Sequence, residues 1–282
     1  MSAAFERVAG PFAFTEGPLW WRDAVLFTDI PTSRILRYDP AGGECTVWRE
    51  GTNGANGLAA DADGRVIACE GDARRLVRYE PDGAVSVLAE RFEGKRLNSP
   101  NDVIIDRAGR IWFSDPRYGD RTGVQLEPDS IYRLTPQAGG AFALERLTFD
   151  TTRPNGLALS PDERTLYVAQ SEYGDGKARE LRAYPVRDDG TLGAYRVLHD
   201  FYPHRGIDGM KVTPDGRIVA ACGWSRSGPG PRIAIFTPDG ELAASFAVPV
   251  DQPSNCAFAP DGSTLYVTAG GCLWRLRFEE AP

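Results

Sequence analysis

The chain has 282 residues, 42% hydrophobic and 25% charged, and no apolar run in it approaches the roughly 18 to 20 residues of a membrane-spanning helix. Its 32 Lys and Arg against 39 Asp and Glu leave a net charge of −7 with the basic residues dispersed, which argues against a nucleic-acid surface. The five cysteines (Cys45, Cys69, Cys222, Cys256, Cys272) are odd in number and lack a Cys-x-x-Cys pair, so neither a disulfide framework nor a zinc cluster organises the fold.

From the N-terminus onward, MSAAFERVAG shows no basic segment followed by an apolar run and cleavage site, and the reading is a cytoplasmic protein. A unit then begins that recurs to the end of the chain: a polar residue, a short apolar stretch, a turn rich in Asp, Gly and Pro, and an apolar strand. Its six copies are EGPLWWRDAVLFTD from Glu16, NGLAADADGRVIACE from Asn56, NDVIIDRAGRIWFSD from Asn101, NGLALSPDERTLYVAQ from Asn155, DGMKVTPDGRIVAACG from Asp208 and NCAFAPDGSTLYVTAG from Asn255. They start 40, 45, 54, 53 and 47 residues apart, the period of four-stranded propeller blades. A third strand follows each copy (ILRYDP from Ile35, LVRYEP from Leu76, IYRLTP from Ile131, LRAYPV from Leu181, IAIFTP from Ile233, LWRLRF from Leu273). Fourth strands follow the first five, from Cys45, Val85, Ala143, Tyr195 and Leu242, whereas the sixth has none of its own. FERVAG from Phe5 fits that place. No stretch sustains helical periodicity, so the expectation is one all-β domain over residues 1–282: a six-bladed β-propeller closed by its N-terminal strand.

Antiparallel topology then locates the chemistry. If the polar residue opens the innermost strand at one face, the Asp-Gly turns lie at the other face, and the links from second to third strand return to the first. Three of these links are long: DPRYGDRTGVQLEP from Asp115, SEYGDGKARE from Ser171 and GWSRSGPGP from Gly223. They are expected to be irregular loops over a binding face. Six-fold symmetry aims Glu16, Asn56, Asn101, Asn155, Asp208 and Asn255 at one axial channel, and each carries a side-chain oxygen. Carboxylates and carboxamides without imidazole or thiolate make a site for a hard cation, Ca²⁺, Mg²⁺ or Mn²⁺ rather than Zn²⁺. The competing reading is turn chemistry, since Asn56, Asn155 and Asp208 each precede Gly, but that leaves Glu16 unexplained.

TEGPLWW around Glu16, SPNDVIID around Asn101, IWFSDPRYG at Ile111, RPNGLALSPD around Asn155, LYVAQ at Leu166 and GIDGMKVTPDG around Asp208 resemble the senescence-marker-protein/regucalcin/gluconolactonase family over nearly the whole chain. The resemblance implies a six-bladed propeller in which Glu16, Asn101, Asn155 and Asp208 hold one divalent metal. That metal is Ca²⁺ by preference, with Mg²⁺, Mn²⁺ or Fe²⁺ as alternatives. It implies Asp208 as the catalytic carboxylate and hydrolysis of sugar lactones as the activity, with a small lactone as partner and neither nucleic acid nor membrane. The oligomeric state is left between monomer and weak homodimer. Arg117 and Tyr118, directly after FSDP, are the preferred substrate contacts, and Asn56 and Asn255 complete the ring as further substrate-binding groups. Arg153, Arg205 and Arg226 fall in loops on the same face and read mainly as solvated or bracing residues. His199 reads as structural, and His204, four residues before Asp208, as incidental. The related alternatives are an organophosphate hydrolase of the diisopropyl-fluorophosphatase kind and a non-catalytic calcium-binding propeller.

Overall fold

A computed structural model describes residues 4–278. Among these the chain forms six four-stranded antiparallel sheets in sequence order, with two short 3-10 turns (Ile30–Thr32 and Ala138–Gly140) and no α-helix. Blade 1 runs Thr15–Trp21, Ala24–Asp29, Arg34–Tyr38, Cys45–Glu50, and blades 2 to 5 repeat the meander, their inner strands being Ala55–Ala60, Val103–Ile105, Pro154–Leu159 and Ile207–Val212. Blade 6 has only three consecutive strands of its own, Pro253–Phe258, Thr264–Ala269 and Cys272–Arg277, and Phe5–Ala9 supplies its outer strand. The pairing is antiparallel, with Phe5 opposite Leu276 and Arg7 opposite Trp274, and an ion pair from Arg275 to Glu6 at 2.6 Å fixes the register. The first and last strands therefore share one sheet, as FERVAG anticipated.

The core is a ring of layers between blades. Second strands are buried on both faces, so they read as unbroken apolar runs such as AVLF and IVAAC, and the two-residue period of a strand sends alternate side chains to opposite neighbours. Val25 and Phe27 pack against Tyr266 and Leu273 of blade 6, whereas Leu26 between them packs against Val66, Ala68 and Val77 of blade 2. Ile218, Ala220 and Cys222 face blade 4 in the same way, and Val219 and Ala221 face blade 6. Every blade interface carries such a cluster, and each fully buried Phe or Leu contributes about 1.5–3 kcal/mol relative to exposure.

One expected loop is not a loop. GWSRSGPGP lies mostly in strand: Ile218–Trp224 and Ser227–Phe236 form an extended hairpin in which Trp224 pairs with Ser227. Glycine permits this. At Gly223 (φ +77°) a Cβ would lie 2.1 Å from the carbonyl oxygen of Gly230, so two backbones meet where a side chain would separate them.

Candidate functional site

The inner strands do more than line the axis. In blades 1, 2, 4, 5 and 6 the register against the second strand slips at the polar residue, between Glu16 and Leu19, Ala55 and Leu58, Pro154 and Leu157, Ile207 and Met210, and Pro253 and Asn255. Each slip is a bulge that breaks the strand's in–out alternation and re-aims a side chain. Asn56-Gly57, Asn155-Gly156 and Asp208-Gly209 consequently lie inside strands, not in turns, and the turn reading of these dipeptides is corrected. Their glycines serve close approach. A Cβ on Gly17 would meet the Asn56 carbonyl oxygen at 2.1 Å, on Gly57 the Asn101 oxygen at 2.7 Å, and on Gly156 the Asp208 oxygen at 2.5 Å. Four ring residues, Asn56, Asn101, Asp208 and Asn255, thus sit against the glycine of the blade before them.

The result is an axial cavity of about 340 Å³ into which Glu16, Asn56, Asn101, Asn155 and Asp208 converge. Its walls come from the expected links: Tyr118 from blade 3, Tyr173 from blade 4 and Trp224 from blade 5, with Phe14, Arg205 and Gln252 from segments preceding inner strands. The three aromatics form an arc, with ring centroids 6.4 Å apart between Tyr118 and Tyr173 and 5.9 Å between Tyr173 and Trp224. A larger groove of about 640 Å³ lies at the Asp-Gly-turn face between blades 2 and 3, but its carboxylates Asp61 and Asp106 are already bonded to Arg65 and Arg110. The axial cavity is where acids stand without full compensation.

Glu16 is buried, and burial first, then the charges of Asp208 and Asp102, push its carboxyl up to about 8. Its Oε2 accepts from the Gly17 amide and from Asn255 Nδ2, the latter at 3.2 Å. Asp208 is likewise raised by burial, opposed chiefly by Arg205, whose Nη2 donates to Asp208 Oδ2 at 2.7 Å. Asn155 Nδ2 donates to the Tyr118 hydroxyl at 3.1 Å, and burial holds that phenol well above its usual range, so Tyr118 stays protonated. Asn56 Oδ1 is buried without a hydrogen-bond partner among the described residues.

These features fit a hard divalent cation. Two carboxylates that burial disfavours as anions, Glu16 further by the charge of Asp208, a ring of amide oxygens and an orphaned acceptor together call for positive charge beyond Arg205. Among the described residues no three His, Cys, Asp or Glu side chains cluster as a metal site, because this ring draws most of its oxygens from asparagine.

The other expected residues fall outside the cavity lining. Asn255 is buried behind Glu16, donating to it while its Oδ1 accepts from Cys256 N at 2.8 Å, and so orients the carboxylate. Arg117 is spent on its own loop, bonding the carbonyls of Asp120 at 2.7 Å and Asn98 at 3.3 Å, and does not line the cavity. The loop is stapled by buried Asp129, which accepts from Arg121, Arg153, Asn98 and the Arg117 amide. His199 packs edge-on to Phe201 at 4.6 Å, and His204 does not line the cavity. Two participants escaped the sequence reading. Arg205 was grouped with loop arginines, though it stands three residues before Asp208. Asp102 follows Asn101 where four other blades have Gly, and its buried carboxylate bonds Val103 N at 3.0 Å and Leu157 N of blade 4 at 3.4 Å.

Comparison with known proteins gives a consistent result. A family model described as "SMP-30/Gluconolactonase/LRE-like region" matches residues 14–271. The chain is 30% identical to a gluconolactonase of Zymomonas mobilis, over 98% of this chain and 82% of that protein. It is 32% identical to a 6-deoxy-6-sulfogluconolactonase of Pseudomonas putida, over 93% and 85%. Among solved structures, a gluconolactonase from Xanthomonas campestris superposes with a TM-score of 0.85 at 34% identity, covering 98% of this chain and 89% of that one.

Proposed function

The chain belongs to the SMP-30/gluconolactonase/LRE-like family, and we propose that it opens sugar lactones in the axial cavity with a divalent metal held by Glu16, Asn101, Asn155 and Asp208. The observation that carries the metal assignment is the pairing of two buried, under-compensated carboxylates with amide oxygens around one axis. Oxygen-only donors favour Ca²⁺, with Mg²⁺, Mn²⁺ or Fe²⁺ as alternatives, over Zn²⁺. When bound, the ion supplies Lewis-acid polarisation of the lactone carbonyl.

In hydrolysis, a water oxygen bonds to the carbonyl carbon and the ring C–O bond breaks; one of the water's protons ends on the released ring oxygen and the other leaves to solvent, so the hydroxy acid is released as its anion. Asp208 is the carboxylate assigned to this step. Arg205 holds its Oδ2 and so fixes how the carboxylate is presented to the ion, the water and the carbonyl. The Tyr118 hydroxyl is fixed at the wall, accepting from Asn155 and donating to the Ser171 carbonyl at 3.4 Å, and Asn56 Oδ1 is an acceptor for a sugar hydroxyl. Asn255 acts one layer back, by orienting Glu16. The aromatic arc gives an apolar face against which a sugar ring can lie. This density of polar groups favours a sugar over an organophosphate, which would want a more apolar pocket. All five cysteines are free thiols, which suits the reducing cytoplasm.

The test is Asp208→Asn assayed at saturating Ca²⁺ on glucono-lactone. Turnover is expected to fall at least about 10²-fold, the low end for loss of a general base, while calcium binding survives through the amide oxygen. Near-wild-type turnover would remove Asp208 from the chemistry.

A further inference from the structure

The charges around the axis do not balance in the way two carboxylates and one divalent ion would. Arg205 lines the cavity and is only 5% exposed. Its Nη1 donates to the carbonyls of Gly223 and Pro253, both at 2.9 Å, and its Nη2 to Asp208 Oδ2 at 2.7 Å. Gly223 lies one residue before the end of the second strand of blade 5 and Pro253 begins blade 6, so the guanidinium is clamped across an interface between blades. A surface arginine can swing into water. This one has no such freedom, and its charge is a permanent part of the site.

We infer that Arg205 is a resident cation of the axial site, giving the metal-loaded cavity one surplus positive charge matched to the carboxylate of the product. The inference rests on the metal-lactonase reading above. The charged residues lining the cavity are Glu16, Asp208 and Arg205, together −1, so a divalent ion brings the total to +1. Without Arg205 it would be zero. Deeper on the axis, Asp102 and Lys211 offset one another. Inside a water-poor cavity an unbalanced charge acts far more strongly than at the surface. The neutral lactone gains little from it, and proton transfer to Asp208 during water attack only moves a negative charge within the site, whereas the aldonate product, once its proton has left for solvent, carries the one negative charge that restores balance. The same charge repels an incoming divalent ion. Arg205 therefore trades metal affinity for stabilisation of the anion, an effect that bracing two strands would not produce.

The experiment compares wild type, Arg205→Met, which keeps length without charge, and Arg205→Lys, which keeps charge without the fork. Calorimetric titration of chelator-treated wild type with Ca²⁺, with a glucono-lactone assay on the same sample, comes first, since absence of binding or of hydrolysis would defeat the underlying reading rather than this one. Given both, Arg205→Met is expected to bind Ca²⁺ at least ten-fold tighter. Its gluconate inhibition constant, measured at saturating Ca²⁺, should rise at least ten-fold. Arg205→Lys should keep the wild-type calcium affinity within about three-fold. Looser calcium binding in Arg205→Met, or no change in either calcium affinity or gluconate inhibition, would overturn the inference. Should Arg205→Met not fold, the calcium-loaded wild type still decides. It must bind gluconate at least ten-fold more tightly than the neutral alditol of the same length, and equal binding would overturn the inference.

Discussion

Gly209→Ala places one methyl group at the point where blade 5 meets blade 6 behind the axial ring. The backbone of Gly209 is not in the left-handed region, so alanine is locally admissible and any effect is steric. The added Cβ would stand 2.0 Å from Asn255 Cγ, 2.3 Å from its Oδ1 and 2.4 Å from its Nδ2, so the amide must move. Moving it breaks the 3.2 Å bond to Glu16 Oε2 and strains the 2.8 Å bond from Cys256 N. Overpacking costs about 1–3 kcal/mol and, with Glu16 pushed up to about 8 and so neutral in chelator, loss of an ordinary hydrogen bond costs about 0.5–1.5 kcal/mol, so a destabilisation of about 2–4 kcal/mol is expected. Urea unfolding followed by tryptophan fluorescence in chelator measures it. Because the two residues share one space, Gly209→Ala with Asn255→Ala should be less destabilised than the sum of the singles by at least about 1 kcal/mol. A single variant within about 1 kcal/mol of wild type, or strictly additive singles, would refute the argument that Asn255 is wedged between this glycine and Glu16.

Deleting residues 1–10 removes the outer strand of blade 6 and uncovers Leu273 and Leu276, and the melting temperature should fall by at least about 10 °C or the protein should aggregate; an unchanged melting curve would contradict ring closure. Glu16→Gln removes a buried carboxyl that its surroundings already disfavour as an anion, so in chelator the variant should melt no lower than wild type, whereas the stabilisation added by Ca²⁺ should largely vanish. Retention of the full calcium-induced shift would take Glu16 out of the ligand set.

Much of this architecture is legible in the sequence because propeller blades repeat. Six unequal copies of one pattern locate the inner strands, and the fourth strand missing after Leu273 points to Phe5. Topology then places Tyr118, Tyr173 and the ring residues on one face. What stays hidden is what no local pattern encodes. The Asn-Gly and Asp-Gly dipeptides have the same letters in a turn as in a bulged strand, and only the neighbouring blade, whose backbone occupies the absent side chain, decides between them. GWSRSGPGP has the composition of a loop, yet paired glycines let it run as a hairpin. Arg117 and Arg205 are equally plausible as loop arginines. The first meets the carbonyls of its own turn and the second meets Asp208, a difference set by tertiary contacts between 3 and 48 residues apart. Asn255 occupies the ring position by symmetry but is turned behind Glu16 by its bond to Cys256 N.

The central claim, that lactone opening depends on a divalent ion in the Glu16/Asp208 ring, is tested most directly by measuring occupancy and turnover on one sample. Chelator-treated protein is titrated with Ca²⁺ in a calorimeter, and glucono-lactone hydrolysis is followed by pH-stat at each point. The account predicts one ion per chain and a rate that rises in proportion to occupancy from near the uncatalysed value. Undiminished hydrolysis by the fully chelated protein would contradict it.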